Sequence, residues 1–384
     1  MSSSAFPQAV TGVRLLSNRP SVLAKLVPHL GPDGGGCSDV MGDGLEVTGP
    51  DWEERLKSLL ETLSVAERAG LFAVRLGDEL ALPMPSTKVL ARKQTEWFPE
   101  FLSHGDWVPH FQPIVDFASG KVVGREVLMR GKLGNVELRG EELVTAAEAH
   151  DAIYSFDRKA RLTALEVGVP LLREDEMLFV NLDPRGVVDM QGSINGTWPV
   201  LERLGGKPQS LCIEFVAAER FGDLKMLVEL AAVHREQGGS IALDDLSGSA
   251  QSLACLEAIK PDVAKLDIAL ISNLEKSVAR RRLVGALVES AHELGTKVVA
   301  EGIERVQEFQ TVRGLGVDYG QGYYFGHPTE KPLDFDPAIV ERPATGTASI
   351  APAGTPGAPA AQPAAPQRRA SVAPPGRAPQ VAGA

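Results

Sequence analysis

From Pro109 onward, short apolar runs alternate with amphipathic stretches of helical period. The stretches at 224–235 and 278–294 repeat apolar residues every three or four positions, as helices do. Eight runs have the character of buried strands: HFQPIVD (110–116), VVGREVLMR (122–130), MLFVNLD (177–183), LCIEFV (211–216), SIALDD (240–245), VAKLD (263–267), KVVAEGIE (297–304) and VDYGQGYYF (317–325). Strands that alternate with helices are typical of parallel βα units. We therefore predict an α/β fold, a (β/α)8 TIM-like barrel over residues 106–335.

The chain before the barrel carries a different pattern. Residues 1–50 are weakly patterned and rich in glycine and proline, so we expect a weakly structured N-terminal segment there. The pattern becomes helical at Asp51, a strand candidate follows at 71–76, and 90–102 indicates a connecting helix. We predict a small α/β accessory region over 51–105, through which an unknown protein partner could bind.

The chain beyond Pro343 consists mainly of proline, alanine, glycine, serine and threonine. It has too few large apolar side chains to offset the entropy lost on ordering. We therefore expect residues 343–384 to form a disordered tail.

Composition and charge narrow the classes of partner. The chain has 384 residues and a net charge of −11. An acidic surface argues against binding duplex nucleic acid, which requires a basic surface. It still allows a small phosphorylated ligand, because divalent metal ions bridge carboxylates to phosphates.

The spacing of the cysteines and the sequence of the N-terminus indicate in which cellular compartment the protein is found. Cys37, Cys212 and Cys255 lie far apart and form no Cys-x-x-Cys motif, which favours a reducing compartment without disulfides or structural zinc. We find no signal-peptide pattern, and no apolar run approaches the ~20 residues that span a bilayer. We predict a cytoplasmic protein with no membrane insertion.

Polar side chains lie within or just after most of the strand candidates, where a core strand would not place them. They are Glu126, Asn181, Glu214, Asp244, Asp245, Lys265, Glu301 and Gln321. An Asp pair alone could simply cap the following helix. Polar residues at the same place on successive strands are better explained if their side chains meet in one site, because the carboxyl ends of barrel strands form one ring where active sites are built.

The composition of this ring constrains its chemistry. Its carboxylates and amide are hard oxygen ligands suited to Mg²⁺ or Mn²⁺, and the absence of histidine and cysteine disfavours zinc. Asp244 and Asp245 could bridge two metal ions, an arrangement used for phosphoryl displacement. Lys265 adds a positive charge that could stabilise a phosphorane. The ring indicates metal-assisted phosphodiester hydrolysis, with enolase-type proton abstraction as the competing interpretation.

The motifs resemble, in order and spacing, those of the EAL-domain cyclic-di-GMP phosphodiesterases. The resemblance covers about residues 107–328. The motifs that carry it are FQPIVD (111–116), Glu126-Val127-Leu128, FVNLDP (179–184), IEFV (213–216), the Asp pair (244–245), KLD (265–267), VVAEGIE (298–304) and YGQGYYFGHP (319–328).

The resemblance implies a two-metal site that holds Mg²⁺ or Mn²⁺. The ligands implied for the first ion are Glu126, Asn181, Glu214 and Asp244. Those implied for the second ion are Asp244, Asp245 and Glu301.

The resemblance also implies catalytic and binding roles. Glu301 is a candidate general base, and Lys265 would orient the nucleophilic water with support from Gln321. The expected ligand contacts are Gln112, Arg130 and Glu304, with Arg130 suited to a phosphate. The implied reaction opens one phosphodiester of cyclic-di-GMP to give linear pGpG, and the implied assembly is a homodimer.

The loop after the Asp pair departs from the family pattern. The family has Asp-Asp-Phe-Gly-Thr-Gly-Tyr-Ser-Ser, whereas residues 244–252 read DDLSGSAQS. The family's loop-anchoring glutamate, three residues after Glu214, is replaced by Ala217, and Glu219 is out of register. We therefore expect an untethered loop. The alternative to an active enzyme is a catalytically weak or inactive domain that acts as a cyclic-di-GMP receptor or a protein-interaction regulator.

Overall fold

The structure, a computed structural model, describes residues 12–29, 37–40, 44–77, 81–187, 190–333 and 335–341. The tail that the sequence analysis expects to be disordered, residues 343–384, lies outside this range. No helix among the described residues combines the length and the apolar character needed to cross a bilayer.

The N-terminal part of the described chain is a small α/β module. Its elements are β1 (Gly12–Ser17), α1 (Pro20–Leu26), β2 (Cys37–Val40), β3 (Gly44–Thr48), α2 (Trp52–Glu61), α3 (Val65–Ala69), β4 (Leu71–Arg75), β5 (Met84–Pro85) and α4 (Ser86–Gln94). Within the described residues the strands form one sheet in the order β2-β3-β1-β4-β5. Every pairing between neighbours in this sheet is antiparallel.

Strands β1, β2 and β3 lie inside residues 1–50, so the expectation of a weakly structured segment is wrong for them. Val13 and Leu15 of β1 are buried and lie opposite Val47 and Leu45 of β3. These strands contain only four to six residues each. A period-two signal of that length, interrupted by glycine-rich sequence, is too short to recognise without knowing the partner strand.

Two helices, and not the single predicted one, connect this module to the barrel. The sequence analysis predicts a continuous helix over 90–102, but α4 ends at Gln94 and α5 spans Phe98–His104. Pro99 lies in the first turn of α5, where its missing N–H is tolerated. Pro99 could not lie in the interior of one continuous helix over 90–102, because it lacks the backbone N–H that a helix interior requires as a hydrogen-bond donor.

A closed barrel follows. Its strands and helices are β6 (Asp106–Asp116), β7 (Val122–Leu133), β8 (Val136–Leu138), α6 (Gly140–Ala149), α7 (Ile153–Gly168), β9 (Met177–Leu182), α8 (Met190–Arg203), β10 (Leu211–Phe215), α9 (Ala218–Phe221), α10 (Leu224–Glu236), β11 (Ser240–Leu246), α11 (Ala250–Ile259), β12 (Val263–Leu266), α12 (Ile268–Ile271), α13 (Val278–Glu293), β13 (Lys297–Ala300), α14 (Val306–Gly314), β14 (Tyr319–Gly320) and α15 (Ala338–Glu341). In the described chain, the sheet runs in the order β6-β14-β13-β12-β11-β10-β9-β7-β8, and pairing of β6 with β7 closes it. The predicted eight-stranded barrel is confirmed.

The first barrel strand departs from a purely parallel arrangement. Strand β6 runs antiparallel to both of its barrel neighbours, β7 and β14. Residues 117–121, which join β6 to β7, are too few for the crossover that parallel strands require, so the two strands form a hairpin. The sequence analysis expects parallel βα units throughout, and that expectation is wrong for β6.

An apolar layer fills the barrel interior. Its buried residues are Ile114, Phe179, Cys212, Ala242, Val263 and Val299, and Tyr319 packs against them. The β7 member of this layer is Gly124, where a Cβ atom would lie 2.6 Å from Cε2 of Phe179. The large ring of Phe179 therefore occupies the space that a side chain on β7 would fill.

Truncating Phe179 to alanine removes the largest side chain of this layer. We expect Phe179→Ala to lower the free energy of unfolding by about 3–5 kcal/mol, because the ring is fully buried and leaves a cavity. Denaturant unfolding measures the change. Leu171→Ala is the control, since Leu171 is 43% exposed. A loss in Phe179→Ala no larger than in this control would contradict the tight packing of the interior layer.

Candidate active site

The predicted polar residues occupy one level of the barrel. Alternate residues of a strand point to the same side, so each residue two positions from the interior layer lies above it at the carboxyl end of the barrel. The pairs are Phe179 with Asn181, Cys212 with Glu214, Ala242 with Asp244, Val263 with Lys265, Val299 with Glu301, Tyr319 with Gln321 and Gly124 with Glu126. Gln112 lies two positions before Ile114, because β6 runs in the opposite direction.

Lys265 lies at the centre of this level, surrounded by carboxylates. Its side chain is fully buried. The Nζ atom lies 3.0 Å from Oε2 of Glu126 and 2.7 Å from Oε1 of Glu301. It also contacts Oε1 of Glu214, and it lies 3.4 Å from Oδ1 of Asp244. We call Glu126, Glu214, Asp244, Asp245 and Glu301 the acidic ring.

The acidic ring and Lys265 shift one another's proton affinities. Burial alone would lower the pKa of Lys265, but the surrounding carboxylates together raise it well above its ordinary value. Burial, together with neighbouring carboxylates, raises the pKa of Glu214 and Glu301. Burial would also raise the pKa of Glu126, but Lys265 and hydrogen bonds hold it below its usual value. The ring thus carries more negative potential than one ammonium group neutralises.

Several acceptor oxygens at this level have no hydrogen-bond donor among the described residues. They are Oδ1 of Asn181, Oε2 of Glu214 and Oε1 of Gln321, while Oδ1 of Asp244 has only its 3.4 Å ion pair with Lys265. Buried polar atoms normally find a partner, so such a cluster of unsatisfied acceptors indicates a place for water or a cation. Oxygen acceptors of this kind are ligands for hard divalent cations.

Two groups of carboxylates are close enough to share a cation. Single oxygens of Glu126, Glu214 and Glu301 lie within 4.8 Å of one another, and so do oxygens of Asp244, Asp245 and Glu301. The second group has the same members as the predicted ligands of the second ion. The first group contains two predicted ligands of the first ion, Glu126 and Glu214, together with Glu301. Glu301 belongs to both groups and lies between them.

An irregularity in β11 allows adjacent aspartates to serve one site. In a regular strand, Asp244 and Asp245 would point to opposite faces. The register of β11 against β12 shifts between Leu243 and Leu246, and Asp245 has a left-handed φ of 57°. Such bulges re-aim side chains next to active sites. Burial, then the nearby carboxylates, raise the pKa of Asp245 to about 6.

A chain of amide side chains links β6, the first strand of the barrel, to the acidic ring. Nε2 of Gln321 donates hydrogen bonds to Oε2 of Glu126 at 2.6 Å and to Oε1 of Gln112 at 3.1 Å. Nε2 of Gln112 donates in turn to the carbonyl of Gly326 at 3.2 Å. Asn181 donates to Oε1 of Glu126 at 3.4 Å. These contacts fix the Glu126 carboxylate from three sides, since Lys265 holds it as well.

The other two predicted ligand contacts lie further out. Arg130 follows Glu126 by four positions on β7 and therefore shares its face, but its Nη1 donates to the carbonyl of Met129 at 3.1 Å. Glu304 is exposed, and its backbone N–H donates to Glu308 at 3.1 Å. The structure brings neither side chain into the cluster around Lys265.

The loop after the Asp pair is held in place, contrary to the sequence analysis. The side chain of Glu219 accepts hydrogen bonds from the hydroxyl groups of Ser247 and Ser249, the latter at 2.9 Å. The expectation of an untethered loop is therefore wrong. Glu219 is out of register along the sequence, but a left-handed turn at Ala217 and the short helix α9 bring its side chain beside the loop.

The sequence analysis did not single out Arg125, which is also buried in β7. Its guanidinium makes two hydrogen bonds, of 2.9 and 3.0 Å, to the carboxylate of Glu176. Because neighbouring residues of a strand face opposite sides, Arg125 points away from the face that carries Glu126. A charged residue within an apolar run was the available signal, and here it marks a structural ion pair that joins β7 to the chain before β9.

Comparison with known proteins gives this site a context. The family model described as EAL domain matches residues 95–328. The probable cyclic di-GMP phosphodiesterase PdeB of Escherichia coli is 26% identical over 232 residues, which cover 60% of this chain and 44% of that protein. The chain spans 30% to 66% of the length of the first curated relatives that it matches.

Solved structures agree with this match. A standalone versatile EAL protein from Vibrio cholerae, in its c-di-GMP-bound form, is 25% identical with a TM-score of 0.57, over 62% of this chain and 99% of that one. The YkuI protein of Bacillus subtilis, in complex with c-di-GMP and calcium, shares the fold at 23% identity and a TM-score of 0.57, over 64% of this chain and 62% of that one. Because the family model covers more than half of its residues, this chain belongs to the EAL-domain family.

Proposed function

We propose that this chain is a metal-dependent phosphodiesterase that hydrolyses one phosphodiester bond of cyclic-di-GMP to give linear pGpG. The observation that carries the proposal is the buried Lys265 within the acidic ring, beside acceptor oxygens that no described donor satisfies. The activity named for the relative PdeB and the c-di-GMP bound to the Vibrio cholerae protein support the choice of substrate.

The donor set fits a pair of Mg²⁺ or Mn²⁺ ions. All the candidate ligand atoms are carboxylate or amide oxygens, and several are buried acceptors without a donor. We propose that one ion would be held by Glu126, Asn181, Glu214 and Asp244, and the other by Asp244, Asp245 and Glu301. Bound there, the ions would supply Lewis-acid stabilisation of charge on the phosphate.

Glu301 is the residue best placed to accept a proton from the attacking water. It is only partly buried, so water and substrate can approach it, and burial with nearby carboxylates raises its pKa above the ordinary value, which makes the carboxylate a stronger base. In the reaction, the water oxygen forms a bond to phosphorus and gives up a proton. The bond from phosphorus to the ribose 3′ oxygen breaks, and that oxygen leaves as a hydroxyl group by taking up a proton equivalent to the one that Glu301 accepts from the water.

Lys265 would supply a fixed positive charge to the same reaction. The raised pKa keeps its ammonium group protonated at neutral pH. A buried cation that is already oriented stabilises negative charge on the phosphorane without reorganising solvent. Gln321 supports this arrangement, because it holds the Glu126 carboxylate against which Lys265 packs.

The remaining predicted residues would contact the dinucleotide. Gln112 lies within the amide chain and faces the site, so a small rotation would present its side chain to a ligand. Arg130 lies four residues beyond Glu126 on the same face of β7, at a place where its guanidinium could reach a phosphate. Glu304 is exposed near the rim and would need to turn toward the ligand.

Removing a carboxylate of the acidic ring tests the proposal. We expect purified protein with Mn²⁺ or Mg²⁺ to convert cyclic-di-GMP to pGpG, and Glu126→Ala to reduce the product to the level of a protein-free reaction. Chromatography of the nucleotides measures both. Glu137→Ala is the matched control, because the Glu137 side chain is 83% exposed, and it should retain wild-type turnover.

The same assay separates the alternatives. If the wild type binds cyclic-di-GMP in a parallel titration but forms no pGpG, the chain is a receptor for the nucleotide and not a phosphodiesterase. If the wild type neither forms pGpG nor binds cyclic-di-GMP, both the phosphodiesterase and the receptor are contradicted, and a role in protein interaction remains.

Metal binding should also be visible without turnover. We expect excess Mn²⁺ to raise the thermal unfolding midpoint, because an ion at 100 times its dissociation constant adds about 2.7 kcal/mol of stability. Asp244→Asn should lose most of this rise, since Asp244 is the proposed ligand shared by both ions. Equal rises in both proteins would show that Mn²⁺ binds elsewhere.

A further inference from the structure

The loop that follows the Asp pair is bound through a single carboxylate to α9, the short helix after β10. Oε1 of Glu219 accepts hydrogen bonds from the backbone N–H of Ser247 at 3.4 Å and from its hydroxyl at 3.1 Å. Oε2 of Glu219 accepts from the hydroxyl of Ser249 at 2.9 Å. One side chain therefore binds the loop at two residues and engages both backbone and side-chain donors.

The local backbone explains how Glu219 reaches the loop. Strand β10 carries Glu214 and ends at Phe215. Ala217 then adopts a left-handed conformation, with φ of 53°, and α9 begins immediately after it. This turn places Glu219, the second residue of α9, beside the loop. A left-handed alanine is an uncommon conformation, so the surrounding contacts must favour it.

The far side of the loop is supported by packing. Gly248 has a φ of 78°, and a Cβ at that position would lie 3.3 Å from Cδ1 of Leu283 and 3.4 Å from Cδ1 of Leu287. Ser249 accepts a hydrogen bond from the N–H of Ser252 at 3.0 Å and so begins α11. The loop thus lies between α13 on one side and Glu219 on the other.

The geometry points to a specific role for Glu219. We propose that Glu219 is a positioning residue that holds Asp244 and Asp245 in register with Glu214 for binding the metal ions. This inference rests on the proposed function. The loop begins directly after Asp245, whose backbone is left-handed, so freedom in the loop would pass straight to the aspartates. Glu219 couples that loop to β10, the strand that carries Glu214.

The test compares Glu219→Ala and Glu219→Gln with the wild type. Glu257→Ala is the matched control, because Glu257 is an exposed glutamate on α11, the helix that the loop enters. Three quantities are measured on the full chain: hydrogen exchange of the backbone amides at 244–250, Mn²⁺ affinity by calorimetry, and pGpG formation with kcat and KM separated. Circular dichroism confirms that each variant is folded.

We expect Glu219→Ala to speed exchange at 244–250 by about tenfold, since a hydrogen bond to a charged acceptor is lost. Mn²⁺ affinity should fall, and kcat should drop by roughly ten- to a hundred-fold with little change in KM, because misplaced ligands affect the reacting centre. Glu219→Gln should lie between the two, since its amide oxygen can still accept from Ser247. Glu257→Ala should match the wild type in all three measurements.

Unchanged loop exchange and unchanged Mn²⁺ affinity in both Glu219 variants would overturn the inference. If Glu219→Ala does not fold, Ser247→Ala removes the hydroxyl contacts of Ser247 with Glu219 and should change loop exchange and Mn²⁺ affinity in the same direction by a smaller amount, because the hydrogen bonds from the Ser247 N–H and the Ser249 hydroxyl remain. Failure of the proposed function has a different signature, which is absence of pGpG from the wild type. The exchange and affinity measurements decide the role of Glu219 in that case too.

Discussion

The burial of one lysine among carboxylates is the constraint on which the carboxyl end of this barrel depends. An ammonium group taken out of water is costly unless it is paired, and Lys265 is fully buried with Glu126, Glu214, Asp244 and Glu301 around it. Those carboxylates repel one another, and the ammonium group that lies between them offsets much of this repulsion. The cluster of Lys265 and its carboxylates therefore determines both the charge balance of the site and its candidate chemistry.

The barrel positions these side chains through the regular alternation of its strands and through two departures from a regular parallel barrel. Regular strand alternation places each polar residue two positions from an apolar residue of the interior layer, as in Phe179 and Asn181. The antiparallel strand β6 brings Gln112 into the same level from the opposite direction. The irregularity in β11 lets Asp244 and Asp245 serve one side. The loop beyond them is then braced by Glu219.

The sequence predicted the barrel strands because each is a short apolar run between helical stretches, and it predicted the polar positions because each interrupts or directly follows such a run. It did not predict β1 and β3, whose pairing joins short segments about thirty residues apart. It also failed at Glu219, because a left-handed turn at Ala217 changes which residues meet, and linear register does not show such a turn. The individual metal-ligand roles, the homodimer and the cytoplasmic location stay predictions.

The most direct test of the central role of Lys265 is the turnover of cyclic-di-GMP by Lys265→Met in saturating Mn²⁺, measured beside its binding of the nucleotide. Methionine retains much of the packing but removes the charge. The account predicts that binding persists while kcat falls by about 10²–10³-fold, the scale expected when a group that stabilises transition-state charge is removed. Turnover equal to that of the wild type would contradict it, because the buried charge would then contribute nothing to the reaction.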